Sequence, residues 1–156
     1  MAGAEVLGKI PGPKLVVDTS VLLAATDTDA PEHDPCSELL ESFDGTLVLP
    51  ATVVAEAAWM IQSRCGDPAE AAFVASVIAG EFTVIDLDTD DYQRCLDLMV
   101  AYPNLSLGLV DASIVRVAEH ANTDQVASMN GRDFYVLRPV HCAGFVLLPE
   151  AITRPT

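Results

Sequence analysis

Basic side chains are scarce in this sequence. Lysine and arginine together number 8, against 23 aspartates and glutamates, which gives a formal net charge of −15. Because nucleic acids are polyanions, such a surface repels them unless metal cations or a local group of arginines intervenes. The charge balance therefore argues against a general DNA- or RNA-binding protein.

Long apolar runs are also missing, although 51% of the residues are hydrophobic. No run approaches the roughly 18 residues of a membrane-spanning helix, so we expect no membrane partner. Residues 1–13 lack the apolar stretch of a signal peptide and are predicted as a flexible leader. The cysteines lie far apart, without the short spacings of metal or redox motifs. These features predict a globular, cytoplasmic domain with reduced thiols.

Several catalytic and cofactor-binding motifs are absent as well. The sequence contains no G-x-x-x-x-G-K-[ST], no G-x-S-x-G and no G-x-G-x-x-G. Its three histidines form no zinc-binding array such as H-E-x-x-H. Phosphate-binding loops, nucleophile elbows, dinucleotide-binding turns and zinc proteases are therefore excluded as explanations.

What the sequence does contain is an alternation of short apolar runs with helical segments. The runs that predict strands are residues 14–18, 46–50, 82–87, 125–129 and 145–148. The segments that predict helices are residues 35–43, 51–65, 68–80, 88–104, which breaks at Pro103, and 107–120. This alternation predicts an α/β domain with a mostly parallel central sheet and helices on both faces. In such sheets, ligands bind beyond the C-terminal ends of the strands.

Three acids occupy apolar surroundings on three separate elements. Asp18 ends the first apolar run, Glu56 lies within the apolar helix 51–65, and Asp111 falls on the apolar face of helix 107–120. Each has an ordinary explanation on its own: a helix cap, a side chain that snorkels to water, and an acid near a helix N-terminus. Carboxylates gathered at one edge of a sheet repel each other, however, and a divalent cation would reconcile them.

The ligand chemistry narrows the choice of cation. Oxygen-only ligation suits Mg²⁺ or Mn²⁺ better than zinc. Asn130 and Asp133, in the turn "SMNGRDF" after a predicted strand, add further oxygen donors. A carboxylate-held Mg²⁺ predicts phosphoryl or phosphodiester chemistry with water as the nucleophile.

Four segments resemble, in order and spacing, the motifs of PIN-domain proteins, and they most resemble VapC-type toxins of bacterial toxin–antitoxin pairs. The segments are "LVVDTSVLLA", "LVLPATVVAEAAWMI", "LSLGLVDASIVRVAE" and "VASMNGRDFYVLRP". The resemblance implies a PIN-like three-layer sandwich and a Mg²⁺- or Mn²⁺-dependent endoribonuclease. It also implies a homodimer inhibited by a VapB-like antitoxin. It covers a domain at residues 14–149, which leaves a tail at residues 150–156.

The family's first three acids fall on Asp18, Glu56 and Asp111 of this sequence. The family's fourth element usually offers an aspartate in a Thr-x-Asp turn, whereas Asn130 stands here, preceded by Ser128. Asn130 keeps an oxygen ligand but loses a charge, for which Asp133 could compensate.

The resemblance also implies roles for individual residues. Asp18 and Asp111 would ligate the metal directly, and Glu56 would ligate it or orient the attacking water. Asn130 or Asp133 would complete the shell. The expected substrate-binding residues are Thr19, Ser20 and Arg132.

Two alternatives remain open from the residues alone. The first is a catalytically weakened PIN-like module that acts through protein contacts, for which Asn130 is the best support. The second is a receiver-like or phosphatase-like domain with Asp18 as phosphoacceptor. That domain would need a late lysine or a second neighbouring acid, whereas Lys9 and Lys14 both come early. The net charge of −15 favours one structured RNA over indiscriminate binding and suits a basic partner segment.

Overall fold

The computed structural model describes residues 3–153. Residues 1–2 of the predicted leader and 154–156 of the predicted tail lie outside the described residues. Five strands are present: β1 Lys14–Val17, β2 Thr46–Pro50, β3 Thr83–Ile85, β4 Gln125–Ala127 and β5 Val146–Leu148. The helices are α1 Gly3–Gly8, α2 Thr19–Thr26, α3 His33–Ser42, α4 Ala51–Cys65, α5 Asp67–Ile78, α6 Thr89–Ala101, α7 Leu109–Ala121, α8 Gly131–Phe134 and α9 Glu150–Thr153, with a 3-10 turn at Pro103–Leu105.

The strands form one sheet in the order β3-β2-β1-β4-β5, and every neighbouring pair is parallel. The central strand β1 carries three consecutive fully buried residues, Leu15, Val16 and Val17. A strand that is apolar on both faces needs a helical layer on each side. The predicted α/β fold with a parallel sheet is therefore confirmed.

The strand order determines where the two helical layers lie. From β1 through β2 to β3 the chain moves toward one edge, and it then returns past β2 and β1 to reach β4. Because such crossovers are right-handed, the return places α6 and α7 on the face opposite α2–α5. The helix contacts agree: α2 packs on α3 and α4, whereas α7 packs on α6 and α1. Connections leave the neighbouring strands β1 and β4 in opposite directions, which is where open α/β sheets bind ligands.

The interface between α6 and α7 contains buried charge in addition to apolar side chains. Asp91 is 1% exposed and accepts hydrogen bonds from Arg116 Nε at 2.7 Å and from His120 Nε2 at 2.6 Å. Arg94 forms a two-pronged ion pair with Glu119. Burial alone would raise the pKa of Asp91, but the hydrogen bonds from Arg116 and His120 lower it. Asp91 and Glu119 therefore take part in contacts between α6 and α7, away from the edge of the sheet.

The predicted flexible leader is corrected in part by the structure. Residues 3–8 form α1, which packs on α7 and buries Leu7 to 1% exposure. Gly3 lies so close to Ile85 and His120 that a Cβ there would collide with the isoleucine. Helix α1 is too short to show a periodic pattern in the sequence, although its Leu7 is part of the core. The tail likewise begins with a helical turn, α9.

Smaller differences concern helix boundaries. The predicted helix 88–104 ends at Ala101, before the 3-10 turn. The segment after Asp18, not predicted as a separate element, is helix α2. The four cysteines, all within residues 3–153, are free. Within residues 3–153, no helix is both long and apolar enough to cross a bilayer.

Candidate active site at the carboxyl edge of the sheet

Asp18 lies at the carboxyl edge of the sheet, the edge formed by the C-terminal ends of the strands. It directly follows β1 and caps α2, since its Oδ1 accepts the Thr19 backbone N–H at 2.8 Å. Its side chain is 6% exposed. Burial raises the pKa of Asp18, the nearby Glu56 charge adds to the rise, and the hydrogen bonds to the carboxylate oppose it. The structure therefore holds this carboxylate in one place at an electrostatic cost.

Two hydroxyl groups hold the second oxygen of Asp18. Ser128 Oγ donates to Oδ2 at 2.8 Å and Ser20 Oγ donates to the same atom at 3.1 Å. Both hydroxyls also accept backbone N–H groups, from Asn130 and Met129 respectively. The bonds join the end of β1 to the turn after β4. They occupy Oδ2 fully, whereas Oδ1 accepts a single N–H and retains a lone pair.

Asp111 and Glu56 approach Asp18 from the two helical layers. Asp111 stands in the first turn of α7, and Glu56 is half-buried in α4. The pKa of Asp111 rises to about 6, first because the side chain is buried and then because Asp18, Glu56 and Asp133 are negatively charged. The structure thus brings together the three acids that the sequence predicted for one site.

The turn after β4 supplies the remaining predicted residues. Asn130 Nδ2 donates to Asp133 Oδ2 at 3.2 Å, so the amide and the carboxylate act as a pair. Asp133 is half-buried and close enough to raise the pKa of Asp111. Arg132 is exposed at this edge, and Thr19 is buried with its Oγ1 lacking a partner among the described residues.

A hydrogen bond between two hydroxyls crosses the same edge. Thr52 Oγ1 lies 2.6 Å from Ser113 Oγ, and Ser113 Oγ donates to the Val110 carbonyl at 2.6 Å. Thr52 precedes Glu56 by one turn of α4, and Ser113 follows Asp111 by two residues in α7. The bond therefore links the two helices that carry these acids.

The donor set can be tested against a divalent cation. Carboxylate and amide oxygens from Asp18, Glu56, Asp111, Asp133 and Asn130 are ligands that Mg²⁺ or Mn²⁺ prefers. Burial and then repulsion by the neighbouring carboxylates raise the pKa of Asp111, and a cation would offset the repulsion. Across residues 3–153, however, no three His, Cys, Asp or Glu side chains converge closely enough to enclose an ion. The donor chemistry fits the cation, and the side chains would have to draw together to bind it.

Of the hydroxyls that organise the site, sequence reasoning named Ser20 and missed the roles of the others. Ser128 appeared only as the residue two positions before Asn130, and the Thr52–Ser113 pair went unnoticed. A serine two residues before the predicted ligand, at the end of a predicted strand, was the available signal for Ser128. The histidines were correctly kept out of the site: His33, His120 and His141 bond Ala24 O, Asp91 and Thr123 O.

Comparison with known proteins places this geometry in a family. One curated relative, ribonuclease VapC26 of Mycobacterium tuberculosis, is 28% identical over 135 residues, which cover 86% of this chain and all of the relative. Among solved structures, VapC20 of M. tuberculosis, described as a toxin that cleaves the sarcin–ricin loop, superposes with a TM-score of 0.68 at 20% identity. That match covers 72% of this chain and 86% of VapC20.

VapBC2 of Rickettsia felis, solved bound to a DNA fragment from its promoter, gives a TM-score of 0.60 at 14% identity. That match covers 86% of this chain and 97% of the other. At such identities the two structures establish the fold alone. The family model for the PIN domain matches residues 15–138, a span that contains every acid of the site. This chain therefore belongs to the PIN domain family.

Proposed function

We propose that this chain is the toxin of a type II toxin–antitoxin pair, a metal-dependent endoribonuclease that hydrolyses phosphodiester bonds in a specific RNA. The observation that carries the proposal is the position of Asp18. It is buried and held by three hydrogen bonds at the topological switch point, with Glu56 and Asp111 near enough to perturb its surroundings. The similarity to ribonuclease VapC26 supports the reaction class.

In this proposal, the acids of the site hold the metal ion and orient the attacking water. Asp18, through the free lone pair of Oδ1, and Asp111 would hold Mg²⁺ or Mn²⁺, with Asn130 or Asp133 completing the shell. When bound, the cation supplies charge neutralisation at the phosphate and lowers the pKa of water. Glu56 ligates the ion or orients the attacking water.

In this proposal, residues around the acid site contact the RNA substrate. Thr19 and Ser20 donate hydrogen bonds to the metal ligands or the scissile phosphate, and Arg132 contacts a flanking phosphate. Because a surface of net charge −15 disfavours indiscriminate RNA binding, we propose a single structured RNA as the target. A sarcin–ricin loop oligonucleotide, the substrate class named for VapC20, is the first probe to test.

The central test removes one carboxylate charge at a time. We expect Asp18→Asn and Asp111→Asn each to reduce Mg²⁺-dependent cleavage by at least about 10³-fold, because each removes the negative charge of a metal ligand and leaves a neutral oxygen donor of similar size. Cleavage of labelled RNA is measured alongside circular dichroism. Glu38→Gln, an exposed acid on α3, is the matched control and should cleave like the wild type. Retained cleavage in either site variant would refute the ligand assignment.

Growth in cells tests the toxin role. Expression of the wild-type chain alone should arrest growth, and Glu56→Gln should relieve the arrest, with equal soluble protein confirmed for both. Normal growth with the wild type would favour the alternative, a PIN-like protein-binding module. Asn130 supports that alternative, because it stands where the family usually has an acid.

The partner in this proposal is a VapB-like antitoxin acting on a homodimeric toxin. An arginine of the antitoxin would suit the acid site, because a guanidinium bridges carboxylates through paired hydrogen bonds. Substitution of the antitoxin's arginines, singly and in pairs, should release cleavage in the complex for at least one variant. Full inhibition by every variant would exclude an antitoxin arginine as the group that blocks the acid site.

A further inference from the structure

The hydroxyl pair Thr52 and Ser113 forms a directed chain of hydrogen bonds. Ser113 is fully buried and gives its one proton to the Val110 carbonyl, so the 2.6 Å contact with Thr52 must use the Thr52 proton. The order is Thr52 to Ser113 to the backbone of α7. Each donor has one fixed acceptor, which makes the contact directional in a way that apolar packing is not.

This chain bridges the two helical layers at the carboxyl edge. Helix α4 begins directly after β2, and α7 runs back toward the start of β4, so both helices present their N-terminal turns to this edge. The layers otherwise lie on opposite faces of the sheet. Helices α4 and α7 also contact each other directly, and the bond joins them near their N-terminal turns.

The geometry of each helix carries this constraint to an acid. Glu56 follows Thr52 by four residues and shares its face of α4. Asp111 precedes Ser113 by two residues, which is about 200° of rotation around α7. Holding Ser113 against α4 therefore adds a directional constraint on the rotation of α7 to its packing on α6 and α1, and with it on the direction in which Asp111 points.

We infer that Thr52 and Ser113 are a positioning pair that sets the relative placement of Glu56 and Asp111 for metal binding. The inference rests on the proposed function of the acid site. Neither hydroxyl need touch the ion or the RNA. A pair with a merely structural role would affect folding and leave metal affinity unchanged.

The experiment uses Thr52→Val, Ser113→Ala and the double variant. Removing both partners of a buried hydrogen bond leaves neither unsatisfied, so the double variant should keep near-native stability. Mn²⁺ affinity is measured by calorimetric titration of the purified full chain, with stability followed by thermal melting. Ser76→Ala is the matched control, because Ser76 makes a similar 2.6 Å bond to a carbonyl three residues earlier, in α5 away from the edge.

We expect each of the three variants to weaken Mn²⁺ binding about three- to tenfold, less than the 10- to 100-fold typical of a group bonded directly to a metal ligand. The double variant should be no weaker than the worse single variant, because both act through one bond. Thr52→Ser, which keeps the hydroxyl, should restore affinity. In RNA cleavage kcat should fall with KM unchanged, and Ser76→Ala should match the wild type in every measurement.

Two results would overturn the inference in distinguishable ways. If the wild type binds Mn²⁺ and the double variant binds it within twofold, the pair is structural only, and the proposed function stands. If the wild type fails to bind Mn²⁺ at all, the metal-dependent function fails and the positioning role falls with it.

Discussion

The pKa of Asp111 reflects both its burial and the charges of the neighbouring acids. Its pKa rises to about 6 because it is buried and faces other carboxylates, although it also receives a hydrogen bond from the Gly108 backbone. An acid that only capped its helix would be stabilised as an anion. The upward shift means that the folded protein tolerates this negative charge at a cost in stability.

The pH dependence of stability should expose that cost. The folded state holds the Asp111 proton more tightly than the unfolded state, so this group's stabilising contribution is complete at low pH and is lost as pH rises through about 6. In EDTA, the free energy of unfolding of Asp111→Asn minus that of the wild type should therefore grow between pH 4 and pH 7, by about 1 kcal/mol once solvent screening of this partly exposed side chain is included. Urea denaturation at several pH values measures this difference.

The matched control is Glu38→Gln, whose difference from the wild type should not vary with pH. The pKa values of Asp91 and Glu119 are lowered, so these two groups make the folded state more stable as pH rises. Their contribution is the same in both proteins and cancels in the subtraction. Parallel curves for Asp111→Asn and the wild type would show that Asp111 carries no electrostatic strain.

The acids of the site could be predicted from the sequence, whereas their supports could not. Asp18, Glu56 and Asp111 stand out because each interrupts an apolar pattern, and such an interruption is visible locally. Ser128 reaches Asp18 across 110 positions, and Ser113 reaches Thr52 across 61. A serine in a turn or a helix is unremarkable until the fold brings its partner to it.

At the scale of elements, the periodic patterns predicted all five strands and the longer helices within a few residues. The failures are short elements. Helix α1 has six residues, too few for a repeating pattern, and its stability comes from packing on α7. Helix α2 has eight residues and begins immediately after Asp18, where the predicted strand 14–18 ended and no helix was predicted.

Replacing Leu7 tests whether α1 is an integral element. Because Leu7 is 1% exposed against α7, Leu7→Ala should lower the free energy of unfolding by about 2–4 kcal/mol. Glu5→Ala, on the exposed side of the same helix, should change it by less than about 0.5 kcal/mol. Equal stability of the two variants in denaturant titrations would show that residues 3–8 are a flexible leader and not an integral part of the fold.

At the scale of the whole molecule, the question is how so acidic a protein would engage RNA. Three of the arginines within residues 3–153 already have partners. Arg94 and Arg116 pair with the acids of the α6–α7 interface, and Arg138 donates to backbone carbonyls. Arg132 stands exposed at the carboxyl edge. Under the proposed function, RNA affinity should depend on the acid site and on one or two phosphate contacts.

The salt dependence of RNA binding should be correspondingly weak. Each phosphate contact on a single strand contributes about −0.7 to the slope of log affinity against log salt, so the slope should be no steeper than about −2. Arg132→Ala should weaken binding and make the slope shallower by about 0.7. Fluorescence anisotropy with a sarcin–ricin loop RNA, in KCl at fixed Mg²⁺ with cleavage blocked by Glu56→Gln, measures both quantities.

Arg138→Ala provides the comparison in the same Glu56→Gln background. Its guanidinium already bonds the Tyr135 and Leu137 carbonyls, so it should leave the salt slope unchanged. A wild-type-like slope in Arg132→Ala would remove this arginine from the RNA-binding surface. A slope much steeper than −2 would show that this protein, despite its net charge of −15, has an extended phosphate-binding surface.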